Sequence, residues 1–124
     1  MVIIVADDST LSRKSVIKSI PESIKEDATI LEASNGLEAL ELYKANRVDV
    51  MFLDLTMPVM SGYEALEEIM KFDSNATIVV ISADIQPQAV ERTKTLGAKD
   101  FVSKPIDETK MKMIFLEVIK REKI

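Results

Sequence analysis

Apolar and polar positions alternate along the chain in blocks that have two kinds of spacing. Five short and nearly continuous apolar runs are typical of strands buried in a parallel sheet. They cover Val2 to Ala6, Thr29 to Ala33, Val48 to Leu53, Thr77 to Ile81 and Asp100 to Val102. Helix-like segments lie between the runs, and this alternation indicates successive βαβ units and an α/β fold.

The apolar character of the five runs suggests their order in the sheet. The first, third and fourth runs are the most continuously apolar, which favours the middle positions. The second run carries Glu32 and the fifth is very short, so both suit a sheet edge. Because parallel crossovers are almost always right-handed, helices should cover both faces of the sheet. We therefore predict a flavodoxin-like, doubly wound (βα)5 three-layer sandwich with strand order 2-1-3-4-5.

Five helices are predicted between and after the strands. They cover about Thr10 to Ile20 with Ser9 as cap, Leu37 to Ala45, about Gly62 to Phe72, Pro87 to Gly97, and the segment after Asp107. The fourth helix has few apolar residues and should be the least firmly held. The last helix has a clear core stripe, with apolar residues from Met111 to Ile119 at helical spacing.

Length and composition narrow the class of protein. The 124 residues fit one domain, which we expect to span residues 1–124. Hydrophobic residues make up 47% and charged residues 30%, a balance typical of a soluble globular protein. No segment approaches the roughly 20 apolar residues that span a bilayer, and the first run is too short for a signal-peptide core. We expect a cytoplasmic protein without membrane insertion.

The charge balance and two absent residue types exclude further functions. The sequence has no cysteine and no histidine, which excludes disulfides, thiolate catalysis, zinc–sulfur sites and histidine-based triads. Sixteen basic and 21 acidic residues give a net charge of −5, a poor match for a phosphate backbone. We expect no direct nucleic-acid binding.

Polar residues of particular kinds follow four of the predicted strands. These are Asp7-Asp8 after the first, Asp54 after the third, Ser82 after the fourth and Lys104-Pro105 after the fifth. Because the carboxyl ends of parallel strands lie on one edge of a sheet, these residues should converge. Two carboxylates about 4 Å apart repel by roughly 4 kcal/mol at an effective dielectric of about 20, so three of them require a cation. Lys104 supplies one charge, and an all-oxygen site favours Mg²⁺ or Mn²⁺ over zinc or copper.

A carboxylate beside Mg²⁺ can act as a nucleophile toward a phosphoryl group, and Asp54 is the predicted acceptor. The modification replaces one negative charge by roughly two, and Ser82 and Lys104 are the donors that could answer it. Two charge-assisted hydrogen bonds would supply roughly 3 to 6 kcal/mol. A shift of a two-state equilibrium from 1:99 to 99:1 takes about 5.5 kcal/mol, so the site is near the right size for a switch.

These motifs resemble the bacterial two-component response-regulator receiver family. The matching residues span the whole chain and are Asp7-Asp8, Asp54, Met57-Pro58, Met60-Ser61-Gly62, Ser82-Ala83 and Phe101 to Pro105. Because no output domain follows, the resemblance is to single-domain, CheY-like chemotaxis regulators. It implies a phosphoacceptor signalling protein, not an enzyme with a separate substrate, and we expect a monomer.

The resemblance implies a role for each site residue. Asp54 would accept the phosphoryl group from a phosphohistidine on a histidine kinase. Mg²⁺ would be bound by Asp8, Asp54 and the Thr56 carbonyl, with Asp7 helping through water. Lys104 would contact the phosphoryl group, and its bond to Pro105 would be cis.

The resemblance also implies a switch. Ser82 would move toward the phosphoryl group while Phe101 turns inward, altering the face made by the fourth helix, fifth strand and fifth helix. That face would control a downstream partner, with the flagellar switch as one candidate. Phe101 stands where many members carry tyrosine, so the switch must be read by packing. Thr56 and Asp84 lie where the family varies residues that tune phosphoryl lifetime.

Met113 and Leu116 on the last helix fall on the side away from the core stripe. They are either isolated surface residues or, as a hypothesis, a docking surface with the fourth helix.

Other functions are compatible with parts of the pattern. A haloacid-dehalogenase-type enzyme wants a second aspartate where this chain has Thr56, and a cap for which 124 residues leave no room. A flavodoxin-like nucleotide binder needs a first loop that attracts phosphate, whereas Asp7 and Asp8 repel it. Within the family, the alternatives are a phosphate sink and a receiver-like interaction module that is never phosphorylated.

Overall fold

The computed structural model describes residues 1–122, and every predicted strand and helix is present in it. The strands are β1 (Val2–Ala6), β2 (Thr29–Ala33), β3 (Val50–Leu53), β4 (Ile78–Ser82) and β5 (Asp100–Ser103). The helices are α1 (Thr10–Ser19), α2 (Glu22–Lys25), α3 (Gly36–Ala45), α4 (Gly62–Phe72), α5 (Pro87–Leu96) and α6 (Glu108–Glu122). The predicted fourth and last helices are therefore α5 and α6.

The order of the strands is β2-β1-β3-β4-β5, and every neighbouring pair is parallel. This confirms the predicted fold class and the assignment of the second and fifth strands to the edges. Strands β3 and β4 are buried along their whole length, because helices cover both faces of the sheet.

Alternate residues of the central strands belong to two separate cores. Ile4 and Met51 face the core that also holds buried residues of α3, α4 and α5. Ile3 and Phe52 face the other core, which α1 and α6 complete; there the ring of Phe52 lies 5.9 Å from that of Phe115. The period of two along a strand thus produces the three-layer sandwich.

Several elements begin or end one residue away from the prediction, and two differences are larger. Strand β3 begins at Val50 rather than Val48, and just before it the Asp49 side chain accepts a hydrogen bond from the backbone N–H of Val2 at 2.7 Å. The short helix α2 was not predicted; it follows Pro21 and buries none of its side chains. Ile24 is the one apolar residue of α2 and packs against a core only partly buried, and a single apolar position has no spacing from which a helix could be predicted.

Helix α5 buries few of its side chains against the rest of the protein. Pro87 is in its first turn and Gly97 ends it in the left-handed conformation, with φ of 112°, as predicted. Only Ala89 and Thr93 are buried among its residues. The Thr93 hydroxyl is satisfied within the helix, where it donates to the carbonyl of Val90 at 3.0 Å.

Candidate functional site

Three carboxylates meet at the carboxyl edge of the sheet. Asp7 and Asp8 follow β1, and Asp54 follows β3, the neighbouring strand. One oxygen from each lies within 4.8 Å of the other two. Asp7 and Asp54 are buried while Asp8 is exposed, so the cluster opens toward solvent on the Asp8 side.

Lys104 reaches the same place from the end of β5. Its Nζ atom lies 2.7 Å from Oδ2 of Asp7 and 3.5 Å from Oδ2 of Asp54. Its backbone N–H donates to the carbonyl of Ser82 at 2.9 Å, which ties the loop to the end of β4. The bond from Lys104 to Pro105 is cis, as the resemblance implied.

Backbone and capping hydrogen bonds fix the loop after β1. Asp7 Oδ1 accepts from the N–H of Ser9 at 2.9 Å, so both Asp7 oxygens are engaged by protein donors. The hydroxyl of Ser9 caps α1 by accepting from the N–H of Ser12 at 3.2 Å. Within residues 1–122 no protein donor is hydrogen-bonded to the Asp8 carboxylate, which leaves Asp8 the most available oxygen ligand.

The backbone of Gly62 packs directly against the chain at Asp54 and Leu55. The N–H of Gly62 donates to the carbonyl of Leu55 at 2.9 Å. A Cβ on Gly62 would lie 2.0 Å from the carbonyl oxygen of Asp54, so a side chain there would push the acceptor out of place. Ser61 and Glu64 then form a capping box that begins α4. The sequence Met60-Ser61-Gly62 thus packs α4 directly against the strand end that carries Asp54.

Burial and the neighbouring charges both shift the pKa values of Asp54 and Lys104. Burial, and secondly the nearby Asp7 carboxylate, raise the pKa of Asp54, although Lys104 opposes both. Burial lowers the pKa of Lys104, but its hydrogen bond to Asp7 and the attraction of Asp54 outweigh this and raise the pKa overall. The carboxylates are therefore short of positive charge, with three acids facing one lysine.

The donor set fits Mg²⁺. The three ligands in reach are carboxylates, and neither histidine nor cysteine occurs in the sequence. Mg²⁺ prefers oxygen ligands and is usually bound by one or two carboxylates together with water, which suits a cluster with one exposed member. Asp8 is the carboxylate with the freest oxygens for an ion, since Asp7 and Asp54 both accept hydrogen bonds from protein donors.

The predicted switch residues Ser82 and Phe101 lie on β4 and β5, the two strands that follow β3 across the sheet. Ser82 is buried, and its hydroxyl accepts from the N–H of Asp84 at 3.0 Å rather than meeting Asp54. Phe101 is partly buried against the core and borders a cavity of about 300 Å³ between α5 and β5. Thr56 is exposed in the loop after Asp54, and Asp84 is exposed in the loop after β4.

The two apolar residues singled out on the last helix are exposed. Met113 is 58% and Leu116 is 60% exposed, whereas Met111 and Phe115 of the same helix are buried. The predicted division of α6 into a core stripe and an opposite apolar pair is therefore confirmed in its geometry.

One residue near the cluster was missed by sequence reasoning. The guanidinium of Arg13 donates to the backbone carbonyl of Asp7 at 2.6 Å and to Oε1 of Glu32 at 2.9 Å. Arg13 and Glu32 are on different elements and 19 positions apart, so no local spacing pairs them.

In the described part of the chain, no helix is both long and apolar enough to cross a membrane.

Comparison with known proteins gives consistent matches over nearly the whole chain. The family described as "Response regulator receiver domain" matches residues 3–115. The chemotaxis protein CheY of Thermotoga maritima is 39% identical over 109 residues, which cover 88% of this chain and 89% of that protein. Protein CcdB of Bacillus subtilis is 37% identical over 122 residues, covering 96% of this chain and 94% of that protein.

Solved structures agree with the sequence matches. One match is a chain of the CheX–CheY–BeF3–Mg²⁺ complex from Borrelia burgdorferi. It superposes with a TM-score of 0.81 at 33% identity, covering 100% of this chain and 90% of that one. The receiver domain of the NarL regulator from Mycobacterium tuberculosis superposes with a TM-score of 0.84 at 30% identity. The match covers 96% of this chain and 95% of that one. With its three clustered carboxylates, its lysine and this breadth of similarity, the chain belongs to the response-regulator receiver family.

Proposed function

We propose that this protein is a single-domain response regulator of chemotaxis signalling that is phosphorylated on Asp54 in a Mg²⁺-dependent reaction. The observation that carries the proposal is the meeting of Asp7, Asp8 and Asp54 with Lys104 at one edge of the sheet. Similarity to CheY proteins over most of the chain supports the signalling context. The cytoplasm is the compartment that this role requires.

In the proposed reaction, Asp54 is the nucleophile toward a phosphohistidine on a histidine kinase. A carboxylate oxygen of Asp54 forms the new P–O bond as the P–N bond of the donor breaks. The electron pair of that bond stays with the imidazole, which takes up a proton, and an acyl phosphate remains on the protein. The chain catalyses its own modification and the later hydrolysis, and has no separate substrate.

The resemblance to the receiver family suggests the supporting roles, and charge balance is consistent with them. Asp8, Asp54 and the Thr56 carbonyl would hold Mg²⁺, and Asp7, whose oxygens are both occupied, would act through water. The ion supplies charge neutralisation and orientation for phosphoryl transfer when it is bound. Three carboxylates, Lys104 and one Mg²⁺ sum to zero charge. Lys104 is within reach of the acceptor and would contact the added phosphoryl oxygens.

The added charge is the proposed trigger of a switch. Phosphorylation leaves about one negative charge in excess in the pocket. Ser82 would then exchange its contact with Asp84 for the phosphoryl group, and Phe101 would turn into the neighbouring cavity between α5 and β5. These movements alter the face made by α5, β5 and α6, where Met113 and Leu116 are exposed.

We propose that the altered face binds a downstream protein, with Met113 and Leu116 among its contacts. The solved complex of CheX with CheY is the reason to name a CheX-type protein as one candidate partner, and the flagellar switch is another. A phosphate sink would have the same acceptor chemistry without such a partner.

Incubation with acetyl phosphate and Mg²⁺, followed by intact-mass measurement, tests the proposal. Wild-type protein should gain the mass of one phosphoryl group, and Asp54→Asn should gain none, because its amide cannot act as the nucleophile. Equal gain in both proteins would mean that the acceptor is another residue. No gain in either would favour a module that is never phosphorylated.

A further inference from the structure

Arg13 is positioned beside the carboxylate cluster without belonging to it. It lies in the first turn of α1, and its side chain is only 14% exposed. A long cationic side chain that is buried to this extent loses much rotamer freedom, which requires compensation by specific contacts. Arg13 makes those contacts with all three of its guanidinium nitrogens.

Each nitrogen binds a different part of the protein. Nη1 donates to the backbone carbonyl of Asp7 at 2.6 Å, in the loop after β1. Nε donates to Oε1 of Glu32 on the edge strand β2 at 2.9 Å, and Nη2 donates to the hydroxyl of Thr10 at the start of α1 at 3.3 Å. The guanidinium therefore joins the edge of the sheet to both ends of the loop that carries Asp8.

The contact with Asp7 has a direct consequence for Asp8. The carbonyl oxygen of Asp7 belongs to the peptide group that also contains the backbone nitrogen of Asp8, and this group is planar. Fixing the oxygen fixes the direction in which the chain enters Asp8. Since no protein donor within residues 1–122 holds the Asp8 carboxylate, its placement depends on the backbone of this loop, and the contact from Arg13 fixes the peptide group on the N-terminal side of Asp8.

We propose, on the basis of the proposed Mg²⁺ site, that Arg13 is a positioning residue that holds Asp8 ready for the divalent ion. A positive charge near a cation site would by itself weaken binding of the cation. Here Glu32 lies 2.9 Å from Nε and supplies the compensating charge. The charge and positioning effects of Arg13 thus oppose each other, and they predict opposite signs when Arg13 is replaced.

Isothermal titration calorimetry of the protein with MgCl2 alone measures whether replacement of Arg13 raises or lowers the affinity for Mg²⁺. Arg13→Gln removes the charge and two of the three donors, whereas Arg13→Lys keeps the charge but cannot reach three acceptors at once. Both variants should bind Mg²⁺ about 10-fold or more weakly, as is typical when a residue that orients a metal ligand is lost. Lys14→Gln, an exposed neighbour that loses the same charge, is the matched control and should keep the wild-type affinity.

Amide hydrogen exchange provides a second readout that does not depend on activity. Without Mg²⁺, the N–H of Ser9, which donates to Oδ1 of Asp7, should exchange faster in Arg13→Lys than in wild type, while the N–H groups of β3 and β4 should not change. Loss of thermal stability with wild-type Mg²⁺ affinity would mean a structural role only. Tighter binding in Arg13→Gln with unchanged binding in Arg13→Lys would mean that Arg13 acts through its charge.

The proposal and the function on which it rests fail in different ways. Wild-type protein that does not bind Mg²⁺ would overturn both. Wild-type protein that binds Mg²⁺ as tightly as both Arg13 variants would overturn the positioning role alone, and the proposed phosphorylation of Asp54 would be unaffected.

Discussion

The ammonium group of Lys104 lies 2.7 Å from Oδ2 of Asp7, although 97 positions separate the two residues. The contact exists because β1 and β5 are parallel members of one sheet and end at the same edge. It places a fixed cation against the acidic cluster before any phosphoryl group arrives. Preorganised charge of this kind costs no rearrangement at the moment of reaction.

Replacement of Lys104 should therefore slow phosphorylation. Lys104→Met keeps most of the side-chain volume but removes the charge that lies 3.5 Å from Asp54. We expect the rate of modification by acetyl phosphate to fall about 100-fold, the cost typical of losing one preorganised donor. Lys110→Met is the control, since Lys110 pairs with Asp100 on the surface. A rate within twofold of wild type would remove Lys104 from the mechanism.

The raised pKa of Asp54 predicts a dependence of stability on pH. Because burial raises this pKa, the folded state holds the Asp54 proton more tightly than the unfolded state does. Without divalent ions, stability contributed by Asp54 should be complete below its ordinary value of 3.8 and should be lost as pH rises toward neutrality. The free energy of unfolding, measured with urea in EDTA, should therefore fall with pH more in wild type than in Asp54→Asn.

Mg²⁺ should raise the free energy of unfolding of these two proteins by different amounts. It compensates the buried carboxylate only where that carboxylate exists, so at pH 7 it should stabilise wild type more than Asp54→Asn. Equal stabilisation of the two would mean that Asp54 does not contribute to the ion site.

Gly62 is predicted to be essential for the placement of Asp54. In Gly62→Ala the new Cβ would meet the backbone oxygen of Asp54 at 2.0 Å, and backbone atoms have little freedom to move aside. We expect a loss of at least about 3 kcal/mol in unfolding free energy, at the upper end of the usual cost of overpacking. Urea unfolding measures it, with the exposed Ser15→Ala as the control. An unchanged midpoint would mean that the loop tolerates a side chain.

Replacement of the exposed residues Met113 and Leu116 on α6 should weaken partner binding without changing phosphorylation. Met113→Glu and Leu116→Glu should each weaken binding of the phosphorylated protein to a CheX-type partner about 10-fold or more, because a charge then replaces an apolar contact. Phosphorylation should be unaffected, since neither residue touches the acidic cluster. Thr109→Glu adds the same charge to an exposed position of α6 and serves as the control. Unchanged affinity in both variants would leave Met113 and Leu116 as ordinary surface residues.

The sheet order could be predicted from the apolar character of the strands, and the meeting of Asp7, Asp54 and Lys104 from a rule about parallel sheets. Parallel strands place their carboxyl ends together, so any residue directly after a strand is located once the strands are identified. An error of two residues at the start of β3 had no effect on Asp54, which follows the end of that strand.

The contacts that could not be predicted are those between side chains of separate elements. The pairing of Arg13 with Glu32 depends on how closely α1 approaches the edge strand, and sequence spacing does not encode that distance. The hydrogen bond from Asp84 to the Ser82 hydroxyl depends on the path of an irregular loop. Such details decide how the site is held, whereas the pattern of strands decides only where it is.

Mapping the modified residue tests the central claim most directly. The protein would be incubated with acetyl phosphate in Mg²⁺ or in EDTA, reduced with borohydride to trap an acyl phosphate, digested and sequenced by tandem mass spectrometry. The account predicts modification at Asp54 in Mg²⁺ and almost none in EDTA. Modification of a different residue, or equal modification of Asp54 in EDTA, would contradict it.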